Sequence, residues 1–191
     1  LKATILAIGD EIIVGTTTDT NSGFLAQLLR SVGIEVTGFI TVADDTAAII
    51  AAFRRGLEDA ELVVTTGGLG PTSDDLTTAC VAEYAGVPLE LDEHSLAEIE
   101  ERFRSRGIEI SPNNRKQALF PRGATILANA DGTAPGFVCE VTRPDGSSGH
   151  IASMPGVPRE MRKMAETQLL PWLAARVGHA AFGSRTYSVV G

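Results

Sequence analysis

The chain has 191 residues, 43% hydrophobic and 21% charged, a globular composition with length enough for one well-cored domain. Its net charge of −8 argues against nucleic acid or an anionic membrane as partner, so an anionic ligand must be held by local groups. No apolar run is long enough to span a bilayer and no signal peptide opens the chain, so a cytoplasmic protein is expected.

In chain order, Thr4 to Ile8 reads as a first buried strand, ending at Gly9-Asp10-Glu11 and followed by a polar stretch from Thr16 to Asn21. Leu25, Leu28, Leu29 and Val32 recur at helical spacing, and Gly33 stands where a C-terminal glycine cap belongs. Glu35 to Val42 is the second strand, ending at Asp44-Asp45. A helix carrying Ile49, Ile50, Phe53 and Leu57 leads to a third strand, Leu62 to Thr66. This alternation predicts a parallel sheet with helices on both faces. Ligands of such sheets bind beyond the carboxyl ends of the strands, which places Asp10, Glu11, Asp44, Asp45 and the residues after Thr66 along one edge.

Those residues are Gly67-Gly68-Leu69-Gly70-Pro71-Thr72-Ser73, followed by Asp74-Asp75-Leu76. Three glycines in four residues let backbone N–H groups approach a ligand. With Thr72 or Ser73 as N-cap and Asp74 and Asp75 in the first turn, a helix is expected to start here and complete an anion site. Phosphate and two aspartates repel one another unless a cation lies between them, and hard oxygen ligands select Mg²⁺ or a similar divalent metal. A metal-bridged phosphate site is therefore one reading, and a tight turn with two capping acids is the other. On the first reading, Gly68→Ala should weaken phosphate binding more than folding.

After Gly86 the alternation breaks. Leu91 to Arg106 reads as one helix closed by Gly107, and Ser111-Pro112 as the start of a short helix through Asn113, Asn114, Arg115, Lys116 and Gln117. That helix is a solvated surface turn, or a polar arm reaching the anion site. Ala124 to Leu127 is a short strand, and Gly132 to Gly136 reads as a turn. Phe137 to Thr142 and His150 to Met154 form a hairpin around Arg143-Pro144-Asp145-Gly146. Pro155-Gly156-Val157-Pro158 opens a helix with Met161, Met164 and Ala165 inward, which Pro171 ends or kinks. Cys80 and Cys139 have no metal or redox spacing and read as reduced core thiols. His94, His150 and His179 have no motif around them.

Several of these stretches, in order, resemble the amino-terminal domain of the CinA (competence/damage-inducible protein) family, a branch of the molybdopterin-binding, MoaB/MogA-like fold. They are Gly9-Asp10-Glu11-Ile12, Asp19-Thr20-Asn21, Thr66 to Thr72 with Asp74 to Thr77, Asn114 to Ala118, Gly132 to Gly136, and Pro155 to Pro158 with Glu160-Met161. The resemblance implies a three-layer α/β/α fold with a mostly parallel sheet and a small antiparallel hairpin addition. It implies a homo-oligomer, and a domain over residues 1–175 with 176–191 as a tail that would open a further domain.

For function it implies metal-dependent hydrolysis of the pyrophosphate of ADP-ribose or a similar nucleotide. Two alternatives stay open: molybdopterin binding or adenylylation in molybdenum cofactor synthesis, and a non-catalytic module for a pterin or nucleotide phosphate. Under the hydrolase reading, Gly67, Gly68 and Gly70 hold a phosphate with Thr72. Asp75, with Asp74 or Glu11, holds the metal, and Lys116 offsets charge. Asn21, Asn114 and Gln117 fix the ligand, and Asp44 reaches the ribose or the metal.

Overall fold

A computed structural model describes residues 1–177. Strands β1 (Lys2–Ile8), β2 (Glu35–Val42) and β3 (Leu62–Thr66) alternate with helices α1 (Asp10–Ile13), α2 (Asn21–Ser31) and α3 (Thr46–Glu58), and α4 (Thr77–Ala85) follows β3. Then come β4 (Leu89–Leu91), α5 (Glu93–Ser105), a 3₁₀ segment (Pro112–Ala118) and β5 (Leu119–Pro121). The chain returns through β6 (Thr125–Leu127), β7 (Gly136–Thr142), β8 (Ser148–Met154), α6 (Pro158–Met164) and α7 (Leu170–Val177).

Six strands form one sheet in the order β2-β1-β3-β8-β7-β6. The first four run parallel, whereas β7 and β6 are antiparallel to their neighbours. All five residues of β3 are buried, as expected of a parallel strand covered on both faces. On one face Leu25 and Leu29 of α2 join Met161, Met164, Leu169 and Leu173 against Ile5, Val64 and Ala152. On the other, Ile49, Phe53 and Leu57 of α3 and Val81 of α4 pack on Leu6, Val63, Phe137 and Ile151. Burial of both sheet faces is the main stabilising term, at about 25 cal/mol per Å² of apolar surface removed from water. Cys80 and Cys139 are free thiols buried in the second cluster.

The expected hairpin is part of the main sheet, because β8 also pairs in parallel with β3. The helix expected from Leu91 starts later: Leu91 belongs to a two-stranded ladder of β4 with β5, and the carboxylate of Asp92 caps α5 by accepting the Ser95 N–H. Pro171 does not end the last helix. A π-turn over Ala165–Leu169 precedes it, a widened turn of the kind that accommodates a missing N–H. No helix among the described residues is long and apolar enough to cross a membrane. The run from Arg185 to Val190, which reads as a strand by sequence, lies outside the described residues, as does His179.

Candidate functional site

The parallel strands end at one edge, and the glycine turn leaves β3 there. Its shape is fixed by crowding on the protein side. Gly67 and Gly68 have φ of 105° and 68°. A Cβ on Gly67 would sit 2.1 Å from the Ile8 carbonyl oxygen, and one on Gly68 would sit 2.2 Å from Thr77 Oγ1. The Gly68 hydrogen thus faces the scaffold, and the expected intrusion of a methyl group into ligand space is corrected: the glycine serves the turn.

The helix start also differs. α4 begins at Thr77, so neither Thr72 nor Ser73 caps it, and Asp74 and Asp75 precede it. Thr77 turns back on the loop, donating its N–H to Gly68 O (3.1 Å) and its hydroxyl to Gly67 O (2.9 Å). Asp75 ties the loop from the other side, accepting from the Thr72 N–H (2.8 Å) and hydroxyl. These local bonds extend the turn by several residues before a helix can form. The Gly67 N–H donates to Met154 O, while those of Gly68, Leu69 and Gly70 meet no backbone acceptor among the described residues.

The turn forms one wall of a cleft of about 540 Å³. Glu11, Asp44, Asp74, Asp75 and Glu160 line it together with Gln117, Thr133, Ala134 and Pro155 to Val157, and among the described residues no lysine or arginine does. Asp44 and Asp10 exchange backbone N–H bonds of 3.1 Å across the ends of β1 and β2. Burial pushes the Asp44 carboxyl above its ordinary pKa, and the nearby charges of Asp10, Glu11 and Asp75 push the same way, against the Asp10 N–H. Asp45 lies outside this set, capping α3 through the Ala48 N–H. Among the described residues no three acidic, histidine or cysteine side chains are grouped to hold a metal by themselves.

The polar residues expected around the ligand divide by position. Gln117 lines the cleft, but its amide is engaged on both sides, donating to Thr133 Oγ1 and accepting from Asn114 Nδ2 (3.3 Å each). Asn114 stands behind it, in a capping box with Ser111. Asn21 lies beneath the floor, where Nδ2 donates to Thr66 Oγ1 (2.9 Å) and to Gly156 O (2.8 Å), leaving its buried Oδ1 without a partner among the described residues. Lys116 is outside the cleft, donating to the backbone oxygens of Thr72 and Asp75 from behind the turn. Of the histidines, His94 is exposed on α5 and His150 packs edge-on against Trp172.

Sequence reasoning assigned no role to Thr133, Ala134, Glu160 or Asn129. Asn129 shapes the far wall: its Oδ1 accepts from the N–H groups of Asp131 and Gly132, and its Nδ2 donates to Ala134 O and Glu160 Oε2. The available signal was Asn129 ahead of the Gly132–Gly136 run, but only the antiparallel entry of β7 brings that run to the ligand edge.

The chain matches a family described as "Probable molybdopterin binding domain" over residues 4–175. It is 47% identical over 178 residues to a CinA-like protein of Anaeromyxobacter sp. (strain Fw109-5), covering 93% of this chain and 42% of that one. The chain thus spans about two-fifths of that relative's length. The crystal structure of the protein CinA with unknown function from Thermoplasma acidophilum is similar with a TM-score of 0.78 and 36% identity, covering 88% of this chain and 95% of that one. The molybdopterin biosynthesis enzyme MoaB of Thermus thermophilus shares the fold, with a TM-score of 0.59 at 20% identity over 92% of this chain and 93% of its own. By sequence and fold together, the chain belongs to the CinA branch of the molybdopterin-binding domain family.

Proposed function

We propose that the cleft binds the phosphate of a pterin ligand of the molybdopterin class, with a divalent cation, Mg²⁺ or a similar ion, between that phosphate and the acidic wall. One observation carries the reading: the N–H groups of Gly68, Leu69 and Gly70 and the carboxylates of Glu11, Asp44, Asp74 and Asp75 belong to one cleft. The donors attract an anion and the carboxylates repel it, so a cation between them satisfies both. Mg²⁺ keeps several waters and uses one or two carboxylates plus substrate phosphates, so it suits a site without three grouped side-chain ligands. We assign Asp75, with Asp74 or Glu11, to hold the ion, and Asp44 to the same space. Lys116, Asn21, Asn114 and Gln117 act by fixing the walls.

The pterin is favoured by the family's description and by the fold shared with a molybdopterin biosynthesis enzyme. Hydrolysis of ADP-ribose, or adenylylation of a pterin, needs in addition a positioned nucleophile, and no residue of the cleft is singled out for activating one. Binding is therefore the conclusion.

Calorimetry with neopterin phosphate and with ADP-ribose, each with and without Mg²⁺, tests it. Binding of the pterin phosphate that requires Mg²⁺ and is lost in Asp75→Asn supports the reading. Absence of binding under both conditions refutes it, and Mg²⁺-dependent release of AMP from ADP-ribose replaces it with a pyrophosphatase. The homo-oligomer implied by the resemblance is read separately, from sedimentation velocity.

A further inference from the structure

The cleft carries a further carboxylate that the phosphate site does not use. Glu160, in the first turn of α6, lines the cleft, and no salt bridge involves it among the described residues. The basic side chains beside it, Arg159 and Lys163, pair instead with Asp131 (3.1 and 2.7 Å). Its Oε2 accepts one hydrogen bond, from Asn129 Nδ2 at 2.7 Å, and that amide is itself fixed by Ala134 O. A carboxylate offers about four lone-pair positions, so among the described residues Oε1 and one position of Oε2 remain open. Room for the group comes from Gly132, where a Cβ would lie 2.0 Å from Oε2. Pro155, Gly156, which packs on Gly67, and the half-exposed Val157 give the cleft an apolar surface against which a flat ring can lie.

We infer that Glu160 selects the ring of the ligand by accepting two adjacent N–H donors of a 2-amino-4-oxopyrimidine, the edge shared by pterins and guanine. This rests on the reading that the glycine turn takes a phosphate. The ring N–H and the exocyclic amino group of such an edge point the same way, matching the two oxygens of one carboxylate. Adenine presents a donor beside an acceptor there, and the acceptor would face a carboxylate oxygen. The Asn129 bond holds the carboxylate in place before the ligand arrives, so little side-chain freedom is lost on binding.

Calorimetry of the whole chain with Mg²⁺ and inorganic pyrophosphate, GMP, IMP and AMP tests the inference. IMP differs from GMP only by lacking the 2-amino group. The wild type is expected to bind GMP about tenfold more tightly than IMP, the loss for one charge-assisted hydrogen bond. AMP should be weaker still. Glu160→Gln keeps an acceptor for Asn129 and replaces the other oxygen with a donor, so the GMP:IMP ratio should fall to near one and AMP should gain on both. A ratio of affinities cancels any loss of folded protein. Equal binding of GMP and IMP by the wild type, or an unchanged ratio in Glu160→Gln, overturns the inference while pyrophosphate binding leaves the phosphate reading standing. Failure of pyrophosphate and of all three nucleotides to bind overturns both.

Discussion

Lys116 donates to the Thr72 carbonyl oxygen at 2.8 Å, and through the same ammonium to that of Asp75, so the cation braces the glycine turn from outside the cleft. This bond joins segments 44 residues apart and ties the 3₁₀ arm to the loop that carries the open N–H groups. Lys116→Met keeps the aliphatic stem and removes the donor. Because the group is partly exposed, the expected loss of global stability is small, about 1 kcal/mol. Amide exchange over residues 70–76 should rise well beyond that of β3, and phosphate affinity should fall with it. Hydrogen-exchange mass spectrometry checks this, and uniform protection in the variant would show that the brace has no effect.

Gly68→Ala places a methyl group against Thr77 and holds alanine at positive φ. The left-handed conformation alone costs about 1–2 kcal/mol, and the contact with Thr77 adds to it. At about 2–4 °C per kcal/mol for a chain of this size, the melting temperature should drop by roughly 4–8 °C. Phosphate binding and stability should decline together. A variant of wild-type stability with impaired binding would place the methyl group on the ligand side after all.

Asn129→Ala removes the side chain that organises the far wall. The N–H groups of Asp131 and Gly132 and the Ala134 carbonyl lose a buried partner, and the expected cost is about 3 kcal/mol. Urea denaturation measures this. A loss below about 1 kcal/mol would mean that water replaces the amide at every bond.

His150 makes stability depend on pH. Burial lowers its pKa below the ordinary 6.5, and the charge of Arg176 adds to the shift against a weaker opposing pull from Glu140. The unfolded chain therefore binds the proton more readily than the folded one. Stability is at its full value above pH 6.5 and falls as pH drops from there through the folded-state value. His150→Gln should remove this part of the pH dependence, leaving the slope from the carboxylates. Urea midpoints of both proteins between neutral and mildly acidic pH check it, and parallel curves would contradict it.

Much of the ligand edge is legible from residue order. The runs Glu35–Val42 and Leu62–Thr66 are strands over the expected bounds, since β-branched apolar runs between helical patterns suit few other structures. Parallel pairing then carries Glu11, Asp44 and the glycine turn to one side without further information. The helix start at Thr77 was hidden because it depends on Thr72 folding back onto Asp75, a competition between side chain and backbone that propensity does not decide. Glu160 and Thr133 were missed because β7 runs against β8, which brings the start of one strand to the end of the other. The place of Lys116 depends on packing between distant segments, and spacing carries no trace of it.

In the proposed site the open N–H groups of the turn donate directly to phosphate, and a divalent ion joins that phosphate to the acidic wall. Titration of ¹⁵N-labelled protein with pyrophosphate in the presence of Mg²⁺, followed by amide chemical shifts, reads this out residue by residue. Saturable shifts centred on Gly68, Leu69 and Gly70, absent when Mg²⁺ is withheld, are predicted. Unmoved resonances for these three at saturating ligand and metal, or shifts confined to another surface, would rule out this arrangement.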